Sequence, residues 1–101
     1  MNVLIEYRAL PGRVERAITE LERLVTEVVQ KEPDCFGIRV LQDPADPERL
    51  LLAELWSSQE AYLGPHFQTA HLQTFIAGAA ALFAGPPVIR FWRERSEHLP
   101  A

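Results

Sequence analysis

The stretch from Leu50 to Phe75, LLLAELWSSQEAYLGPHFQTAHLQTF, holds most of the side chains in this sequence that could do chemistry. It contains His66 and His71. An imidazole, with an ordinary pKa of about 6.5, can take or give a proton at neutral pH. Glu54 and Trp56 occupy alternate positions just before them, so on a strand they share one face. A buried glutamate needs a partner, and Arg8, Arg39 and Arg90 are the expected ones; Glu54 is then either half of an ion pair or a base. Phe75 follows His71 by four residues and shares its helical stripe. Tyr7, near the N-terminus, adds a phenol, and like Trp56 it combines an apolar face with one polar handle. The set suits proton transfer. His71, His66 and Tyr7 are the catalytic candidates; Trp56, Glu54 and Phe75 are the candidate substrate contacts. Each has a plainer alternative: a core-edge histidine with one satisfied hydrogen bond, a locally bonded loop histidine, a tyrosine capping the core, a tryptophan in it.

Other chemistries find less support. Glu54, His66 and His71 are acceptable metal ligands, but the histidines lack the i, i+4 helical spacing, and no metal is expected. His98 lies in a polar tail. Cys35 follows an acidic turn with no neighbouring cation to lower its pKa. Glycine-rich phosphate loops and Ser-His-Asp patterns are absent. The net charge is -4 and the ten lysines and arginines are scattered, which argues against nucleic acid and against an anionic membrane surface. The single cysteine fits a reducing, cytoplasmic setting. The N-terminus, MNVLIEYR, has no secretory pattern, and the apolar run Phe75 to Ala84 falls short of the ~20 residues a membrane span needs.

The elements that must position these residues can be read in order. Asn2 to Arg8 alternates as a strand, with Val3, Ile5 and Tyr7 on one side. From Arg13 to Lys31 the apolar residues Val14, Ala17, Ile18, Leu21, Leu24, Val25 and Val28 give an amphipathic helix. Arg16–Glu20, Arg23–Glu27 and Glu27–Lys31 are spaced to pair on its solvent side. Glu32-Pro33-Asp34 stops it. Cys35 to Leu41 reads as a strand with Phe36, Ile38 and Val40 together, and Asp43 to Pro47 as a loop. Arg49 to Trp56 is a third strand. A short helix, Ser58 to Leu63, follows, capped by Ser57 or Ser58. After Gly64-Pro65 a second helix is expected from about Phe67 to Phe83, with His71, Phe75, Ala79 and Leu82 on one stripe. Val88 to Glu94 is a fourth strand. Residues 1–95 form one domain and 96–101 a loose tail.

This order, βαββαβ, predicts an α+β, ferredoxin-like fold: a four-stranded antiparallel sheet with its helices on one face. Strands one, three and four are apolar on both faces, while the helices can cover only one. A second copy, packed sheet to sheet, would cover the other, so a homodimer is expected.

The motifs E-P-D-C-F (Glu32 to Phe36), D-P (Asp46-Pro47), L-L-A-E-L-W-S-S-Q-E-A (Leu51 to Ala61) and H-F-Q-T-A-H (His66 to His71) occur in that order. In this the chain resembles the antibiotic biosynthesis monooxygenase family, with its EPGC-like turn, E-x-W strand end and H-x-x-[ST]-[PA]-H helix start. Asp34 stands where the family usually has glycine. The resemblance implies a dimeric α+β barrel and a monooxygenase acting on a small aromatic or quinol-like compound without metal, flavin or other cofactor. It also admits a non-catalytic barrel binding a small ligand, or an isomerase-type relative. Haem degradation, known in a related branch, is disfavoured: Tyr7 stands where that branch has asparagine, and His66 falls near its tryptophan. If a ligand binds, the expected place is a cleft between the sheet and the second helix, with His71 on its wall.

Overall fold

A computed structural model describes all 101 residues. The chain runs through β1 (Asn2–Arg8), α1 (Val14–Lys31), β2 (Cys35–Gln42), β3 (Arg49–Trp56), α2 (Gln59–Leu63), a 3-10 turn (Pro65–Gln68), α3 (Ala70–Gly78), a second 3-10 turn (Ala79–Ala81) and β4 (Val88–Trp92). Residues beyond Trp92 have no regular secondary structure. The strands form one antiparallel sheet in the order β2-β3-β1-β4, the ferredoxin-like arrangement the element order predicts.

Alternation fixes what each strand buries. Val3, Ile5 and Tyr7 on β1 pair across from Glu54, Leu52 and Leu50 on β3, and all six are buried beneath the helices. Helix α1 buries Ala17, Leu21, Leu24 and Val28, the stripe its spacing marks. It ends where expected: the Glu32 N–H donates to the Val28 carbonyl, and Pro33 prevents continuation. The Glu32 carbonyl then accepts from Cys35 N–H at 3.1 Å, turning the chain into β2.

Four expectations need correction. A register shift between Cys35 and Gly37 turns Cys35 inward beside Trp56 and leaves Phe36 64% exposed, so Phe36 does not share the packed side of Ile38 and Val40. Arg23 pairs with Glu20 at 3.4 Å, three residues back, rather than with Glu27, which is held by Lys31 at 2.7 Å. Strand β4 ends at Trp92, two residues early. The long second helix is broken: Thr69 takes an extended conformation (φ -74°, ψ 145°), its side chain accepts from Leu72 N–H, and α3 begins afresh at Ala70. It ends at Gly78, so Phe83 is not helical; it lies in the core and bridges Ala9.

Candidate functional site

Three segments meet at one carboxylate. Glu32 caps the C-terminus of α1, His66 sits in the 3-10 turn and His71 in the first turn of α3. His66 Nδ1 lies 3.0 and 2.9 Å from the two Glu32 oxygens, and His71 Nε2 lies 2.6 Å from Glu32 Oε2. A carboxylate only accepts, so both imidazoles donate to it. The donor atoms being fixed, the lone pair of His71 falls on Nδ1 and that of His66 on Nε2. The side chains are 4 to 10% exposed, and Glu32 has no lysine or arginine partner.

The break at Thr69 makes this possible. On one continuous helix His66 and His71 would point about 140° apart. The extended residue between them resets the direction, so both rings reach Glu32.

Around His66 the packing is aromatic. Its ring centroid lies 4.7 Å from Trp56, 5.0 Å from Tyr62 and 5.7 Å from Phe67. Burial holds the His66 pKa below its ordinary value, against the opposing pull of the Glu32 carboxylate. Trp56 is core, 1% exposed, and its indole N–H donates to Glu54 Oε1 at 2.7 Å. This corrects the expected arginine partner of Glu54. Arg8, Arg39 and Arg90 all stand on the other face of the sheet, and Arg8 is engaged with Asp46 at 2.6 Å. Burial pushes the Glu54 carboxyl up to about 7, with the Trp56 hydrogen bond opposing and the Glu32 charge reinforcing the shift.

Tyr7 belongs to a second aromatic group, 4.8 Å from Phe83 and 6.1 Å from Phe75 between centroids. Burial raises its phenol well above the ordinary range, so it would serve as a neutral donor and not as an anion. Burial likewise pushes the Cys35 thiol up to about 11.

A ligand-sized space adjoins His71. A groove of about 600 Å³ runs between α1 and α3. On the sheet side of α3, Tyr7, Leu72 and Phe83 are buried in the core. His71 lines the groove, with Leu24, Phe75 and Leu82 as apolar lining, and Arg16, Arg23 and Lys31 from α1 also border it. The structure thus joins His66, His71, Trp56 and Glu54 around one buried centre. It sets His71 and Phe75 on the groove, and Tyr7 behind Phe75. Glu32, the residue that ties the centre together, is not among the sequence candidates. It stands in the E-P-D-C motif, where it reads as a helix stop, and only the histidines' common need of a carboxylate could have pointed to it.

Known proteins agree with this architecture. The family model described as antibiotic biosynthesis monooxygenase matches residues 1–78. Among solved structures, PA3566 from Pseudomonas aeruginosa is 28% identical, with 92% of each chain covered and a TM-score of 0.80. A conserved protein from Methanosarcina mazei is 21% identical, covering 93% of this chain and 91% of its own, with a TM-score of 0.81. Rv0793 from Mycobacterium tuberculosis is 19% identical over 95% of each chain, with a TM-score of 0.82, and like the Methanosarcina protein supports the fold alone. No curated protein sequence matches the chain.

Proposed function

The chain belongs to the antibiotic biosynthesis monooxygenase family, with over three-quarters of its length in the match, and from that membership we propose that it is a monooxygenase of small, electron-rich aromatic compounds of the quinol or anthrone class. The observation that carries the reading is a histidine, oriented by a buried carboxylate, on the wall of a groove large enough for a ring system.

The substrate lies in the groove with a face against Leu24, Phe75 and Leu82. Glu32 holds the Nε2–H of His71, so the Nδ1 lone pair takes the phenolic or benzylic proton, and the carboxylate stabilises the imidazolium that forms. The substrate anion passes an electron to dioxygen. With an anthrone a CH₂ becomes C=O, and with a quinol a ring C–H becomes C–OH as the ring is oxidised to the quinone. In either case one oxygen atom enters the product and the other leaves as water, with the substrate supplying all the electrons. His66, buried behind, is the reserve proton site on the same carboxylate. Trp56 and Glu54 support its ring and do not border the groove, and Tyr7 backs Phe75. These roles require only the chain's own residues, in keeping with a cofactor-independent oxygenase.

The assembly we infer is a homodimer. Leu4, Leu51, Ala53, Leu55, Val88 and Trp92 share the sheet face away from the helices, and Trp92 is 57% exposed. No helix is long and apolar enough to cross a membrane. A lone, buried Cys35 suits the reducing cytoplasm.

Oxygen consumption with a panel of anthrones and hydroquinones tests the activity. Turnover is expected with at least one, and His71→Ala should lower kcat by about 10²- to 10⁴-fold. Silence across the panel, or turnover indifferent to His71→Ala, would overturn it; saturable binding of the same compounds without oxygen uptake would then favour a ligand-binding barrel.

A further inference from the structure

Glu32, His66 and His71 present three ligand atoms that all lie within 4.8 Å of one another. We propose that these residues bind one divalent transition-metal ion of the zinc class. Two imidazoles and one carboxylate are a recurring set for such ions, and three protein ligands leave a further position open. The atoms come from three segments fixed independently: the end of α1, the Pro65–Gln68 turn and the start of α3. At metal–ligand distances of about 2.0–2.2 Å the donors of a four-coordinate ion stand roughly 3.4 Å apart. Here the two nitrogens lie 2.9 and 2.6 Å from Glu32 Oε2, so each separation would have to widen by about 0.5–0.8 Å.

The surroundings of Glu32 supply a second argument. Glu32 is a buried carboxylate whose only ion-pair partners are the two imidazoles. The chain's one lysine, Lys31, is turned onto Glu27. Two imidazole nitrogens and a carboxylate oxygen are a donor set suited to a d-block ion. The rings are already oriented: Trp56, Tyr62 and Phe67 pack around His66, and Thr69 fixes the turn that presents His71.

Occupancy has a consequence for the proposed oxygenase. For His71 Nε2 to bind a metal, its proton would have to leave that atom, and the neutral ring would then carry its proton on Nδ1. The atom that would accept the substrate's proton then carries one, so a filled site would be a silent one.

Binding can be measured without substrate, which separates this proposal from the oxygenase reading. The full chain, freed of metal by a chelator, is titrated with CoCl₂ and ZnCl₂, following cobalt d–d absorption and calorimetric heat. One ion per chain is expected, zinc displacing cobalt, with affinity falling about tenfold or more in Glu32→Gln and in His71→Asn. Far-UV circular dichroism identifies the variants that keep the fold, and either alone suffices for the comparison. No saturable uptake by the wild-type chain would overturn the proposal. So would a thiolate-to-cobalt charge-transfer band, which would place the metal on Cys35, or affinity unchanged in a folded variant.

Discussion

Glu54 shows how a single side chain can be misread by type and recovered by parity. As a glutamate within a strand it invites an arginine partner, yet Arg8 follows Tyr7 and must face away from whatever Tyr7 faces. Strand alternation therefore excludes Arg8, and the pairing register excludes Arg39 and Arg90 in the same way. The indole of Trp56, two residues on, is the donor that remains on the buried face. Its consequence is a carboxyl held at about 7 instead of the ordinary 4.5. Between these values the folded protein keeps a proton that the unfolded chain has released. Its contribution to stability is thus fully present below about pH 4.5, declines as pH rises, and is gone above about 7. The difference of roughly 2.5 pH units corresponds to a loss on the order of 3 kcal/mol at 1.36 per unit. Glu54→Gln removes the charge and keeps an oxygen for the indole. Relative to wild type, the variant should gain stability between pH 5 and pH 8 by that order, measured by urea unfolding at both values. A wild-type-minus-variant difference that does not change with pH would mean Glu54 is ionised in the fold throughout.

At the scale of elements, what was legible follows from the length of the pattern. Eighteen residues of amphipathic spacing make α1 readable, and its charged Glu32-Pro33-Asp34 end marks its stop. The segment after Gly64 is short, apolar and rich in alanine, so its periodicity is the same whether it runs as one helix or two. The decisive residue there is Thr69, a capping residue hidden inside a helical pattern, and the same break that spoils the long helix assembles the site. Gly64 governs the preceding step. It ends α2 at φ -94°, ψ -94°, and a Cβ placed on it would lie 2.9 Å from the Glu60 carbonyl oxygen. That neighbour is backbone and cannot swing aside, so Gly64→Ala must shift the turn carrying His66. The expected cost is about 1–3 kcal/mol in urea unfolding, together with reduced turnover, because His66 shares its carboxylate with His71. A Gly64→Ala variant as stable and as active as wild type would show that the turn adapts freely and that the position of His66 is not critical.

At the scale of the whole molecule, the basis for the proposed dimer is more legible in the sequence than the site is. Apolar residues on both faces of β1, β3 and β4 are visible in the alternation, whereas convergence on Glu32 depends on three segments meeting at distances no spacing rule supplies. The face away from the helices gathers Leu4, Leu51, Ala53 and Leu55 at its middle, with Leu41 and Trp92 toward the two edges. Arg49 and Glu6 form a bidentate pair on the same face, with nitrogen–oxygen distances of 3.1 and 3.0 Å, and can lie at the rim of an interface without being buried unpaired. A two-fold axis through the centre of this face would set Leu55 of one copy near the apolar middle of the other. Placing a charge there tests the arrangement: Leu55→Arg adds a cation to a surface that must be dry in a dimer and is already wet in a monomer. The wild-type chain should sediment as a dimer, with a Tm that rises with protein concentration because association stabilises only the folded state. The Leu55→Arg chain should sediment as a monomer with a lower, concentration-independent Tm and an unchanged circular dichroism spectrum under conditions where it remains folded. A wild-type chain that sediments as a monomer at micromolar concentration would sink the dimer outright. A dimer that survives Leu55→Arg unchanged would move its interface off this face.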